Sequence, residues 1–229
     1  MKDRRFVLQL LVVGLLAAGT IALAFWLRPA TQSFTWPSDT ARFGNNGITF
    51  DYPASWSVHD QLPATTGMGQ TLALIGTLPW GPCAAYDVNC HYEQKLGPGQ
   101  IELDVGRGIV GSDGGFCGYA RERPDLQGRG PTDPQVVETR LFRVDGHPVI
   151  YTGYAVNGAD YYLSDEWRTW RIAATDASTE AYEIGSRFRG PGIDAFHAAL
   201  DALIQTVKIG ASNYQPGPFD SCTDLFPID

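Results

Sequence analysis

From Phe6 to Leu27 the chain runs for 22 residues without a charge, FVLQLLVVGLLAAGTIALAFWL, and only Gln9 and Thr20 in it are clearly polar. As a helix rising about 1.5 Å per residue, this run is about 33 Å long, enough to cross a hydrocarbon core of about 30 Å. A secretory h-region is shorter, about 7–15 residues. Lys2, Arg4 and Arg5 precede the run and only Arg28 follows it closely, so the positive-inside rule puts residues 1–5 in the cytoplasm and everything after Leu27 outside. Phe25 and Trp26 then fall at the outer interface, where aromatic rings are favoured. The alternative is a leader cleaved after Ala24, since Ala22-Leu23-Ala24 forms an A-x-A site. Either way the remainder is exported. The expectation is a single-pass cell-membrane protein with an extracytoplasmic C-terminal domain.

Export changes how the rest is read. Beyond residue 27, 14 Lys and Arg face 24 Asp and Glu. Such an acidic surface repels phosphates, so nucleic acid is excluded as an expected partner. The four cysteines, Cys83, Cys90, Cys117 and Cys222, all lie on the exported side, where an even number implies disulfides. Three pairings are possible. The favoured one joins Cys83 to Cys90 across a short loop and Cys117 to Cys222 across a long one. The rival is zinc, with His91 as an extra ligand, but six residues separate Cys83 from Cys90 and zinc pairs usually have about two to four. No metal is expected.

Residues 28–46 are polar with two prolines and read as a stalk. The domain is expected over residues 47–210, followed by a tail, 211–229, pinned by Cys222. In GITFDYPASWSV, Ile48, Phe50 and Tyr52 alternate with Thr49 and Asp51, a strand pattern that Pro53 ends. TLALIGTL, from Thr71 to Leu78, reads as a buried strand, and IELDVGRG puts Ile101, Leu103 and Val105 on one strand face. Residues 111–134 look loop-like. Residues 136–156 form a hairpin turning at Asp145-Gly146, a strong hairpin signal, and residues 160–175 and 180–188 continue the meander. Ile193, Phe196, Leu200, Leu203, Ile204 and Val207 share one face of a helix. The fold class is therefore α+β, an antiparallel, meander-rich sheet with a C-terminal helix packed on it.

The phrase GITFDYPASWSV, with Phe50, Tyr52, Pro53 and Trp56, resembles the start of PsbP-like domains. RVDGHPVIYTGYA resembles that family's central hairpin, and IDAFHAALDALIQTVKI its closing helix. The resemblance covers roughly residues 47–209. It implies an α/β/α sandwich around an antiparallel sheet, and a bacterial membrane-anchored member of a family whose members mostly act as accessory or binding proteins. It carries over no site residue.

Most candidate chemistry fails on its context. GRGIVG, Gly106–Gly111, has the spacing of a dinucleotide fingerprint, but no helix pattern starts at its third glycine and no βαβ unit follows. No cofactor is expected. Gly111–Gly115 superficially resembles a serine-nucleophile motif with the order wrong, and His59 beside Asp60 joins Ser112 only by assumption. His59, His91, His147 and His197 form no metal or catalytic spacing. Asp160, Asp165, Glu166 and Glu183 fall in neighbouring strands, where Arg168 and Arg171 are natural partners. Trp167 and Trp170 differ by three positions and so point to opposite faces of a strand. One belongs to the core and the other, with Tyr161, Tyr162 and Tyr182, to a possible binding surface for a protein or glycan. The expected role is a non-catalytic binding or accessory module. The alternatives are an exported hydrolase using sheet carboxylates and a structural cell-envelope subunit.

Overall fold

The structure, a computed structural model of the 229-residue chain, describes residues 38–60, 69–77, 96–110, 114–122, 135–155, 166–190, 193–210 and 222–226. The apolar leader, Cys83, Cys90, His91, Tyr161, Tyr162, Asp160 and Asp165 lie outside them. Among the described residues no helix is long and apolar enough to cross a membrane.

Among the described residues, ten strands form two antiparallel sheets. The smaller has the order β1 (Thr40–Asn45), β2 (Ile48–Pro53), β10 (Lys208–Ile209). The larger has seven strands in the order β3 (Ser57–His59), β4 (Gly69–Gly76), β5 (Gln100–Ile109), β9 (Glu180–Arg189), β8 (Glu166–Ala173), β7 (His147–Ala155), β6 (Gln135–Val144). Strands β6 to β9 are thus the expected meander, and its last strand inserts beside β5. The Asp145-Gly146 turn has φ of 51° and 80°, the double left-handed conformation of a tight hairpin that Asp-Gly tolerates.

Strand β1 lies in the segment expected to be stalk. Asn46 and Gly47 take φ of 48° and 89°, the same turn chemistry as Asp145-Gly146, and fold residues 40–45 back onto β2 with Phe43 opposite Phe50. The folded body therefore begins before Gly47.

The two faces of the large sheet are distinguished by alternation. One carries Ile101, Leu103, Val105, Val149, Tyr151, Trp170, Ile172, Ile184 and Phe188, all in the main core. Helix α2 (Ile193–Gln205) closes this face through Phe196, Leu200, Leu203 and Ile204, and the small sheet joins the same core through Phe43, Ile48 and Phe50. The stripe predicted for this helix is the one it buries, and it follows from the 3.6-residue period.

The opposite face meets helix α1 (Gly115–Glu122), where the sequence suggested only loop. Its two glycines hide a short apolar stripe, Phe116, Cys117 and Ala120, which packs with Val110, Ile150, Ala173, Ala181, Cys222 and Phe226 in a second, smaller core. Cys117 and Cys222 are disulfide-bonded, with Cα atoms 5.8 Å apart, as the favoured pairing required. The backbone N–H of Cys117 donates to the Asp176 carbonyl at 3.0 Å. Helices therefore lie on both faces of the sheet, the layering that the sequence resemblance implied.

Candidate functional site

The face that α1 only partly covers carries the candidate site. Along β5 the apolar set Ile101, Leu103, Val105 points to the main core, so Glu102, Asp104, Gly106 and Gly108 point the other way. Strand register lines these up with their neighbours. Thr71, Gly106, Glu183 and Arg171 form one lateral row across β4, β5, β9 and β8, and Gly69, Gly108 and Ala181 form the next. The second row has almost no side chains. A cavity of about 490 Å³ sits over both rows, lined also by Asp104 and, from α1, Tyr119. A Cβ added to Gly106 would meet only the Gln70 carbonyl oxygen, at 3.4 Å, so the bare floor results from the choice of glycine and not from crowding. GRGIVG is thus strand through its first two glycines. Its third, Gly111, lies outside the described residues, and α1 begins only at Gly115.

Charge in the cavity is mixed and held in place. Arg171 donates from Nε to Glu183 Oε2 at 2.7 Å and its guanidinium stands 5.6 Å from the Tyr119 ring centroid. Burial disfavours this cation, but Glu183, with Tyr119 and Tyr154, more than offsets that and holds Arg171 above its ordinary range. Its NH1 atom is buried without an acceptor, an arrangement that costs about 1–3 kcal/mol. Arg107, the next residue along β5 from Gly106, carries its side chain on the opposite, main-core side, bonded to Glu180 and 5.7 Å from the Tyr182 ring centroid. The Tyr182 hydroxyl itself donates to the Asn46 carbonyl at 2.5 Å. Burial pushes Tyr182 above the ordinary phenol range; Arg107 opposes this and Glu180 adds to it.

Two rows away on the same face lies a buried ion pair. Arg187 donates from Nε to Glu102 Oε1 at 2.8 Å and from NH2 to the same oxygen. Glu102 is 1% exposed and its Oε2 has no hydrogen-bond partner. Burial pushes its carboxyl up to about 7 against the pull of Arg187, and nearby Asp104 adds to the rise. Trp167 flanks this pair at the neighbouring register position, stacked on Tyr154 with ring centroids 4.4 Å apart.

No family model and no curated protein matches this chain. Solved structures do. The solution structure of cyanobacterial PsbP (CyanoP) from Synechocystis sp. PCC 6803 aligns over 76% of this chain and 94% of its own, with a TM-score of 0.47 and 13% identity. A crystal structure of a protein of unknown function from Pseudomonas aeruginosa aligns over 76% of this chain and all of its own, with a TM-score of 0.43 and 11% identity.

The residues singled out from sequence fare unequally. Trp167 and Trp170 do take opposite faces. Trp170 is wholly buried against Tyr151, with ring centroids 5.3 Å apart, so it belongs to the core and not to a binding surface. Trp167 is partly buried and faces the polar side. Tyr161 and Tyr162 lie outside the described residues. Glu183 lines the cavity; the Tyr182 side chain packs on the main-core side, and Glu166 is not part of the lining. Glu166 instead meets His197 of α2, whose Nε2 lies 2.8 Å from the carboxylate, while Arg168 NH2 lies 2.9 Å from His197 Nδ1. Because a guanidinium can only donate, Nδ1 accepts and Nε2–H donates. Burial favours the neutral acid, yet the bonds from His197 and Arg168 prevail and hold Glu166 below its ordinary range. Asp104 and Tyr119 escaped the sequence reading. Asp104 alternates with an apolar strand face, a visible signal, but only strand register brings it beside Glu183.

Proposed function

We propose that this chain is a single-pass, membrane-anchored extracytoplasmic protein with a PsbP-like fold, acting as a non-catalytic binding or accessory module through the cavity floored by Gly106 and Gly108. The observation that carries the reading is the cavity itself. Its volume, about 490 Å³, falls in the range of small-ligand sites, and its charged side chains are fixed by partners, as recognition requires. The uncharged 22-residue leader and the Cys117–Cys222 disulfide support an oxidising location outside the cytoplasm.

A hydrolase is the second reading, since the structure holds a histidine–carboxylate pair. Both nitrogens of His197 are engaged, one by Arg168 and one by Glu166, which leaves neither to take a proton from a nucleophile. This favours a positioning role for His197.

The test is a thermal-shift screen of the full-length protein against small polar compounds, run beside Gly106→Val, whose side chain grows into the cavity. Binding compounds are expected to stabilise the parent and not the variant. Equal stabilisation of both, or no stabilising compound at all, refutes this site.

A further inference from the structure

Strand β6 is the outermost strand of the large sheet: among the described residues it pairs with β7 alone, and no strand lies on its other side. It is ten residues long, and its outer row of backbone donors and acceptors is a template for another strand. The middle of that row is reachable. Val137 is 66% exposed, and the side chains of Glu138 and Arg140 are 48% and 43% exposed. The strand, QVVETRLFRV, holds neither proline nor lysine, two residues that commonly blunt an edge.

The order of its side chains selects the partner. Glu138 and Arg140 are alternate residues and share the face that carries Tyr151, whose hydroxyl donates to Glu138 at 3.3 Å and whose ring centroid lies 4.2 Å from the Arg140 guanidinium. Two copies of β6 running antiparallel about a twofold axis at Thr139 set each Glu138 opposite the second copy's Arg140, and Thr139 opposite itself. Opposite charges and threonine pairs are both favourable across strands. The next pair outward is Val137 with Leu141. A twofold at Glu138 or at Arg140 instead sets like charges face to face, which is destabilising. A centre between two residues opposes side chains of different faces. No other centre gives Glu138 an arginine on its own face. The bulge of β6 falls between Val136 and Glu138, outside the central triplet 138–140.

Contacts within one copy position these charges. Arg140 lies 3.2 Å from Glu138 and 3.5 Å from Asp201 of α2. A cavity of about 670 Å³ between β6 and α2, lined by Phe142, Asp201 and Ile204, flanks the edge and leaves room for the side chains of an added strand. We propose that β6 is a self-pairing edge, through which two copies of this chain join into one continuous antiparallel sheet in the register centred on Thr139. The interface is isologous, so each favourable pair is made twice.

The experiment is native mass spectrometry of the full-length protein in a mild detergent, over a range of concentrations. The parent is expected to dimerise. Glu138→Arg and Arg140→Glu each turn both attractive pairs into repulsive ones, and each is expected to weaken the dimer at least about tenfold. Mixed together, the two variants place arginine opposite glutamate again, so a dimer with one copy of each should form as readily as the parent's. Neither misfolding nor a lost contact within one copy would produce that rescue. Val137→Lys, at a position 66% exposed, should also weaken the dimer while melting as the parent does. A dimer that persists unchanged through both charge swaps, or a mixture that yields no heterodimer, overturns the proposal. So does a parent that stays monomeric to about 100 µM, which would leave this edge to an extended segment of another protein.

Discussion

Replacing Cys117 and Cys222 together by alanine tests how the second core is held. The bridge spans 105 residues, and the chain-entropy model gives about 5 kcal/mol for a closure of that length. A domain of this size has a total stability of about 5–15 kcal/mol, so a third or more of it is at stake. The core that the bridge pins is small: α1 contributes Phe116, Cys117 and Ala120, and the tail contributes Cys222 and Phe226. The expected result in urea, followed by circular dichroism, is a loss of about 3–5 kcal/mol with a steeper dependence on urea, because the uncrosslinked chain exposes more surface. Proteolysis under native conditions should cut first near Arg121, as α1 is released before the sheet melts. A loss below about 1 kcal/mol, with α1 still protected, would show that packing alone holds the helix and that the reasoning is wrong.

Three further outcomes follow from single side chains. Glu102 has a folded value raised to about 7 from 4.5, so its contribution is complete below about pH 4.5 and is lost as pH rises through 7, by about 3 kcal/mol in all. The parent should therefore lose stability relative to Glu102→Gln between pH 5 and pH 8 in urea melts, and parallel pH profiles would contradict the raised value. Trp170→Ala should cost about 3–5 kcal/mol and Trp167→Ala clearly less, because only Trp170 is sealed in the main core; equal losses would undo the assignment of faces. Gly146→Ala has open space but a φ of 80°, whereas Gly115→Ala has a φ of 61° and a Cβ only 2.7 Å from the Ala177 carbonyl oxygen. Thermal melts should show the first costing about 1–2 kcal/mol and the second more.

The parts of this fold that were legible in sequence are those whose signal is local. The Asp145-Gly146 turn announces its own backbone conformation, and the α2 stripe repeats often enough to reveal its period. Helix α1 was hidden because Gly115 and Gly118 weaken its pattern, and because a disulfide partner 105 residues away supplies what its own sequence lacks. Strand β1 was hidden by polar neighbours around its one buried aromatic, Phe43, although the Asn46-Gly47 turn was there to be seen. The candidate site was least legible. Asp104, Glu183, Arg171 and Tyr119 sit on four different elements, and only the register of β5, β9 and β8 brings them together. The glycines of GRGIVG drew attention for their spacing, but their role is to leave a strand face empty.

Strand β2 lies between β1 and β10, and the link is sealed by the Gly210 N–H donating to the Gly47 carbonyl at 2.7 Å. The earliest and latest of the described strands thus share one sheet. During synthesis, amino end first, the opening hairpin emerges long before its third strand. Until then one backbone edge stays unfinished and open to β-addition by another polypeptide. That interval is when a holdase would have most to protect, and when a neighbouring chain would have its best chance to intrude.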